Sequence, residues 1–228
     1  MSTVGGGVNI VSNGLVLYLD ASNTKSYVSG STTWNDLTPN LNNGVLTNGP
    51  TFNSANGGSI VFDGTNDYAS IGTNSITGSS PFTLCSWINV KTHSSYGLAL
   101  FIGNAGSAQS AFIGYVQTAQ VGTTNSIGGG LFGVNYGSGI LQNTGFHYVT
   151  LTYNGGSSGT MIVYVDGINR VSGTTTPNLA TTSIRMGSDN TGTYIYNGNI
   201  AQSSIYNRTL SAAEVLQNFN ATRTRFGL

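Results

Sequence analysis

The two acids closest together in this chain are Asp63 and Asp67, in the stretch FDGTNDY (62–68). With Asn66 beside them they offer hard oxygen donors, the chemistry of a calcium site. Calcium takes six to eight oxygens, however, and this stretch supplies few. The same residue types also turn a chain, because Asp and Asn bond nearby backbone and Gly tolerates positive φ. Asp63 and Asp67 are therefore candidate calcium ligands set against an ordinary turn, and the turn is preferred. Hydrolysis of a glycosidic bond needs two carboxylates across the sugar. The one glutamate, Glu214, sits in Ser211-Ala212-Ala213-Glu214, where a helix-capping box employs it. The remaining acids, Asp20, Asp36, Asp166 and Asp189, lie mostly among turn residues, and no E-x-D-x-x-E pattern occurs. Neither His93 nor His147 adjoins a G-x-S-x-G nucleophile motif. His147 reads as a strand residue with one hydrogen bond, and His93 as part of a solvated loop. The lone Cys85, inside PFTLCSWINV (81–90), reads as a buried, inert side chain. No catalytic residue and no cofactor are expected.

Sugar binding asks for something different, an exposed aromatic platform with small polar residues beside it. Trp34, Tyr96, Tyr136 and Tyr194 are candidates, each in or near a loop rich in Gly, Ser, Thr or Asn. Trp87, in the middle of an apolar run, is expected in the core.

Composition narrows the partners. Charged residues make up 6% of the 228, and the formal net charge is zero. Basic residues are too few and scattered for a nucleic-acid stripe, and nothing steers the chain toward an anionic membrane. No run approaches the ~20 apolar residues of a membrane helix. The first residues, MSTVGGGVNIVSNG, lack the basic and apolar regions of a secretory signal, so synthesis and folding in a cytoplasm are expected. Gly128-Gly129-Gly130 reads as a turn, since no helix start with Lys follows it.

The elements that must position these residues are strands. In FHYVTLTYNGGSSGTMIVYVDGINRV (146–171), side chains alternate in type at a period of two. Asp166-Gly167 supplies a tight primed turn, so a three-stranded meander is expected. Residues 59–71 read as a hairpin turning at 63–66. Residues 81–90 read as a strand covered on both faces, and 97–104, 110–117 and 129–136 as three more. Ser183–Gly187 and Tyr194–Tyr206 read as the last strands. One helix, about 211–220, opens at the capping box, with Leu210 and Val215 as its hydrophobic staple. Frequent turns, about a dozen short strands and almost no helix give one all-β domain, a sandwich or a barrel. Residues 14–221 form this domain, with a flexible lead at 1–13 and a tail at 222–228. Arg223 and Arg225 make that tail either solvated or an anchor to a neighbouring subunit.

The order of motifs resembles the concanavalin A-like, laminin G-like jelly-roll family over nearly the whole chain. The marks are GLVLYLDASN (14–23), FDGTNDY, PFTLCSWINV, FHYVTLTYNG with MIVYVDG, and GNIAQSSIYNRTLSAAEV (198–215). Relatives carry Asp then Glu in the closing strand, where this chain has Ala201 and Gln202. That Asp can ligate calcium in related jelly rolls, so its replacement weakens a calcium claim at that edge. The polar ends, NIVSNGLVLYLDASN and QNFNATRTRFGL, are similar to stand-alone domains of marine bacteriophages. The resemblance implies an all-β, two-sheet antiparallel jelly-roll sandwich with one short C-terminal helix, and a non-enzymatic virion structural protein, a capsid decoration or a tail-associated component, contacting other virion proteins and copies of itself. The alternative it implies is a lectin-like adhesin that binds host-surface glycans.

Overall fold

The computed structural model describes residues 9–73, 75–180 and 183–228. Among these the strands are β1 (Leu15–Asp20), β2 (Thr33–Trp34), β3 (Gly44–Thr47), β4 (Thr51–Asn53), β5 (Ser59–Asp63) and β6 (Tyr68–Thr73). They continue as β7 (Phe82–Val90), β8 (Gly97–Gly103), β9 (Ser110–Val116), β10 (Val121–Thr123), β11 (Ser126–Leu131) and β12 (Val134–Ser138). The last are β13 (His147–Tyr153), β14 (Gly159–Val165), β15 (Ile168–Thr175), β16 (Ser183–Met186) and β17 (Asn197–Tyr206), followed by the helix α1 (Ala212–Thr222). One sheet runs β15-β14-β13-β7-β17-β5-β4, with β1 also on β17; the other runs β10-β12-β11-β9-β8-β16-β6-β3-β2. The architecture is the expected all-β, two-sheet jelly-roll sandwich with a short C-terminal helix. Pairing is antiparallel except between β10 and β12, which run parallel over Val121–Thr123.

Period-two alternation places the core. Leu17, Leu19, Ile60, Phe62, Phe82, Leu84, Ile88, Leu151, Met161 and Val163 point from the first sheet into a shared interior. Ile71, Ala99, Leu100, Ile113, Ile127 and Tyr136 meet them from the second. The meander forms as expected, β13 to β14 to β15, and Asp166 and Gly167 both take positive φ (55° and 77°) at its tight turn.

Four local expectations change. Residues 59–71 are not a hairpin: β5 joins the first sheet and β6 the second. The turn at 63–67 carries the chain across the sandwich, because Phe62 and Ile71 must both reach the core from opposite sides. Residues 129–136 are not one strand but two, β11 and β12, reversed at Phe132-Gly133 with Gly133 at φ 99°. Gly128-Gly129-Gly130 is not a turn; it lies inside β11, where an added Cβ on Gly128 would sit 2.1 Å from the Tyr136 carbonyl oxygen. The strand near Tyr194 starts only at Asn197, which leaves Tyr194 in a loop.

The outer face of the first sheet is covered by α1. Ser211 and Glu214 form the capping box, and Leu210, Val215 and Phe219 pack with Cys85, Trp87, Tyr148 and Tyr206. Phe82–Val90 is thus covered on both faces, and burial pushes the Cys85 thiol up in pKa. Of the expected flexible lead, residues 1–8 lie outside the described residues. Residues 9–13 are tied to the helix instead: Val11 N donates to Asn218 Oδ1 (2.8 Å), and its carbonyl accepts from Tyr206 Oη (2.9 Å). The tail is docked rather than solvated. Phe226 stacks on Trp87 with ring centroids 4.1 Å apart, and Arg225 Nη1 donates to Asp20 Oδ1 at 2.7 Å. Trp87 Nε1 completes the clamp by donating to Thr222 Oγ1 (2.7 Å).

Candidate functional site

The outer face of the second sheet carries a small cluster separate from the core, built by Leu98, Phe101, Phe112 and Val116 with Tyr96, Phe132 and Tyr194 against it. The same alternation that sends Ala111 and Ile113 inward sends Phe112 outward. A cleft of about 190 Å³ opens here, lined by Tyr96, Phe112, Phe132, Asn135 and Tyr194 among others. Tyr194 meets Tyr96 edge-on with centroids 5.5 Å apart, and Phe132 edge-on at 5.4 Å. Among the described residues no charged side chain lines the cleft.

Each wall is held from behind. Asp189, buried in the loop before β17, accepts from Thr193 N and Thr191 Oγ1, both at 2.7 Å, and so shapes the turn that delivers Tyr194. Asn190 joins this loop to the one after β8, donating to Asn104 Oδ1 (2.7 Å) and accepting from Ala105 N (2.9 Å). Tyr96 Oη donates to the Thr118 carbonyl (2.7 Å) and accepts from Asn135 Nδ2 (3.1 Å). Asn135 is 7% exposed, and among the described residues its Oδ1 accepts no hydrogen bond. A fixed amide acceptor thus stands in an aromatic cleft.

Two of the four aromatic candidates meet here, Tyr96 and Tyr194. The other two are corrected. Trp34 is fully buried in the core beside Tyr27, and Tyr136 is fully buried because β12 turns it inward while its neighbour Asn135 faces out. Phe132 and Asn135 were hidden from sequence reading by the unrecognised turn at 132–133; the Gly133 between apolar neighbours was the available signal.

Asp63 and Asp67 lie at the crossover between the sheets. Asp67 Oδ2 accepts from Asp63 N (3.1 Å) and Asp63 Oδ1 from Thr65 N (2.8 Å), so both carboxylates brace the turn. Burial raises the Asp67 pKa, which disfavours the charged form a cation would need. Among the described residues no three His, Cys, Asp or Glu side chains gather in a metal-binding group.

The histidines differ from expectation. His93 is not in a solvated loop but packs between Tyr115 and Tyr196, centroids 5.4 and 5.6 Å away, and burial lowers its pKa. His147 makes two contacts, Nδ1 to Asp166 Oδ2 (2.7 Å) and Nε2 to Thr144 Oγ1 (3.0 Å). That order of hydroxyl, imidazole and carboxylate is the outline of a nucleophile relay. Its parts are engaged elsewhere: Thr144 Oγ1 donates to the Leu141 carbonyl (2.6 Å), and Asp166 Oδ1 accepts from Tyr148 N (2.9 Å). The trio holds the 141–147 loop against the β14–β15 turn.

A family model described as the concanavalin A-like lectin/glucanases superfamily matches residues 63–216, more than half of the chain. The chain belongs to this superfamily. Among solved structures, this concanavalin A-like domain is similar to domain 4 of AbnA, a GH43 extracellular arabinanase from Geobacillus stearothermophilus, in complex with arabinotriose. Identity there is 16%, the TM-score is 0.66, and 90% of this chain and 97% of that one are covered. It is also similar to a Trypanosoma rangeli sialidase (16% identity, TM-score 0.66), covering 98% of this chain but 35% of the sialidase. A third likeness is to the botulinum neurotoxin type G receptor binding domain, at 15% identity and TM-score 0.59, over 91% of this chain and 51% of that one. At these identities the likenesses establish the fold. None of these three is a virion protein. The curated proteins contain no sequence match.

Proposed function

We propose that this domain is a non-enzymatic, lectin-like module that binds neutral glycans in the Tyr96–Tyr194 cleft. The observation that carries this reading is the cleft itself: edge-set aromatic rings around the open amide oxygen of Asn135. A sugar ring offers an apolar face to such rings and hydroxyl donors to such an oxygen. The cleft is smaller than the ~300–1,000 Å³ of drug-sized sites, a scale suited to one sugar ring at a time. The arabinotriose bound to domain 4 of AbnA supports a sugar role for this architecture. The cleft favours the adhesin over a purely structural protein. A glycan array tests it: saturable binding to a neutral glycan is expected, and Tyr194→Ala is expected to weaken it at least about tenfold, or ~1.4 kcal/mol. Tyr194 is half-buried in a loop braced by Asp189, so the melting temperature should hold. An empty array, or binding indifferent to Tyr194→Ala, overturns the reading.

The setting we propose is a bacteriophage particle, on the sequence resemblance alone, with other virion proteins and copies of this chain as neighbours. Quantitative mass spectrometry of purified particles tests this. A copy number near that of the shell protein means capsid decoration, a few copies mean a tail adhesin, and absence overturns the setting.

A further inference from the structure

We propose a second saccharide site, for sugars that carry a carboxylate, on the outer face of the first sheet. It is a cleft of about 350 Å³ beside the docked tail, on the sheet opposite the Tyr96 cleft and independent of it. Its floor is the strand pair β7–β17, where Asn89 and Asn199 stand opposite each other in register. Asn199 is 7% exposed, and its Nδ2 donates to Ser59 Oγ at 3.1 Å. Asn89 Oδ1 is shielded from solvent, and among the described residues it accepts no hydrogen bond. The Asn89 side chain is itself half-buried, and turning its amide toward the cleft gives that unpaired oxygen a hydroxyl donor.

One wall is aromatic. Phe146 and Phe226, both half-buried, line the cleft with ring centroids 4.8 Å apart. Phe226 is kept in place from beneath by its stack on Trp87 and from beside by the Arg225–Asp20 ion pair. Rings of this kind pack on the apolar face of a sugar while an amide takes its hydroxyl protons.

Lys91 supplies the selectivity. Among the described residues it is the charged side chain that lines this cleft, no carboxylate lines it, and Lys91 forms no ion pair. An ammonium without a counter-ion, beside a hydroxyl acceptor and an aromatic wall, fits a ligand that is hydroxylated and anionic at once. A uronic or sialic acid unit has that chemistry.

The test is a titration of the full chain, followed by amide NMR, with trigalacturonate and sialyllactose as acidic probes and methyl-esterified trigalacturonate as the neutral control. Expected are saturable shifts at Asn89, Lys91 and Asn199, with the ester at least about tenfold weaker than its acid. Lys91→Gln, at an exposed position that leaves the fold intact, should erase that difference, and Asn89→Ala should weaken acid and ester alike. Tyr194→Ala should leave the shifts at Asn89, Lys91 and Asn199 unchanged with acid and ester alike, which separates this site from the neutral-glycan cleft. The proposal is overturned by the absence of saturable shifts at these residues with both acidic probes. It is equally overturned if shifts are confined to the Tyr96 cleft, or if acid and ester bind equally.

Discussion

Glu214 closes the helix start and an ion pair with one carboxylate. Its Oε2 accepts from Ser211 N (2.9 Å), and its Oε1 from Arg208 Nη2 (2.6 Å). The Arg208 guanidinium, with the Ser211 backbone second, holds its pKa down at about 2, against an ordinary 4.5. A carboxyl depressed on folding stabilises the protein fully above its unfolded pKa. That contribution fades as pH falls from about 4.5 toward 2. Chemical denaturation across this window should show a loss of stability that Glu214→Gln, which keeps the cap geometry, makes shallower. Equal slopes in the two proteins would exclude the ion pair as the cause. At the same scale, sequence reading found the cap because its residues are neighbours in the chain. It missed the second contact of His147 and the partial burial of His93, whose partners Asp166 and Tyr196 lie far along the chain.

At the scale of elements, the tail changes most from its sequence appearance. TRTRFGL reads as solvated because four of its seven residues are polar or charged, yet Trp87 and Asp20 give Phe226 and Arg225 specific places. Phe226→Ala should lower unfolding stability by about 2 kcal/mol, below the usual cost of emptying a fully buried aromatic site because Phe226 is only half-buried. Trp87 fluorescence should shift to the red as its stacked cover is lost, and an unchanged spectrum with unchanged stability would mean that the clamp contributes nothing. The strands themselves were legible from their period of two. What was not legible is which sheet each joins: alternation assigns a side chain to a face but does not name the neighbouring strand. Residues 59–71 show this, since both halves alternate correctly and still part company at Asp63.

For the molecule as a whole, the candidate site was half legible. Tyr96 and Tyr194 could be named because they stand in polar, Gly-rich surroundings, but so do Trp34 and Tyr136, which the core absorbs. One residue of parity separates Tyr136 from Asn135, and that parity depends on a turn the sequence disguises. The placement of the ends matters for how the domain would be displayed. Asn9 and Val11 are bonded to α1, and the tail lies beside it on the same outer face. The Tyr96 cleft opens from the sheet on the far side. Any support that grips this chain at Asn9–Val11 and at the tail would hold it like a lamp by its base, with the Tyr96 cleft turned outward and the Lys91 cleft turned back toward the mount.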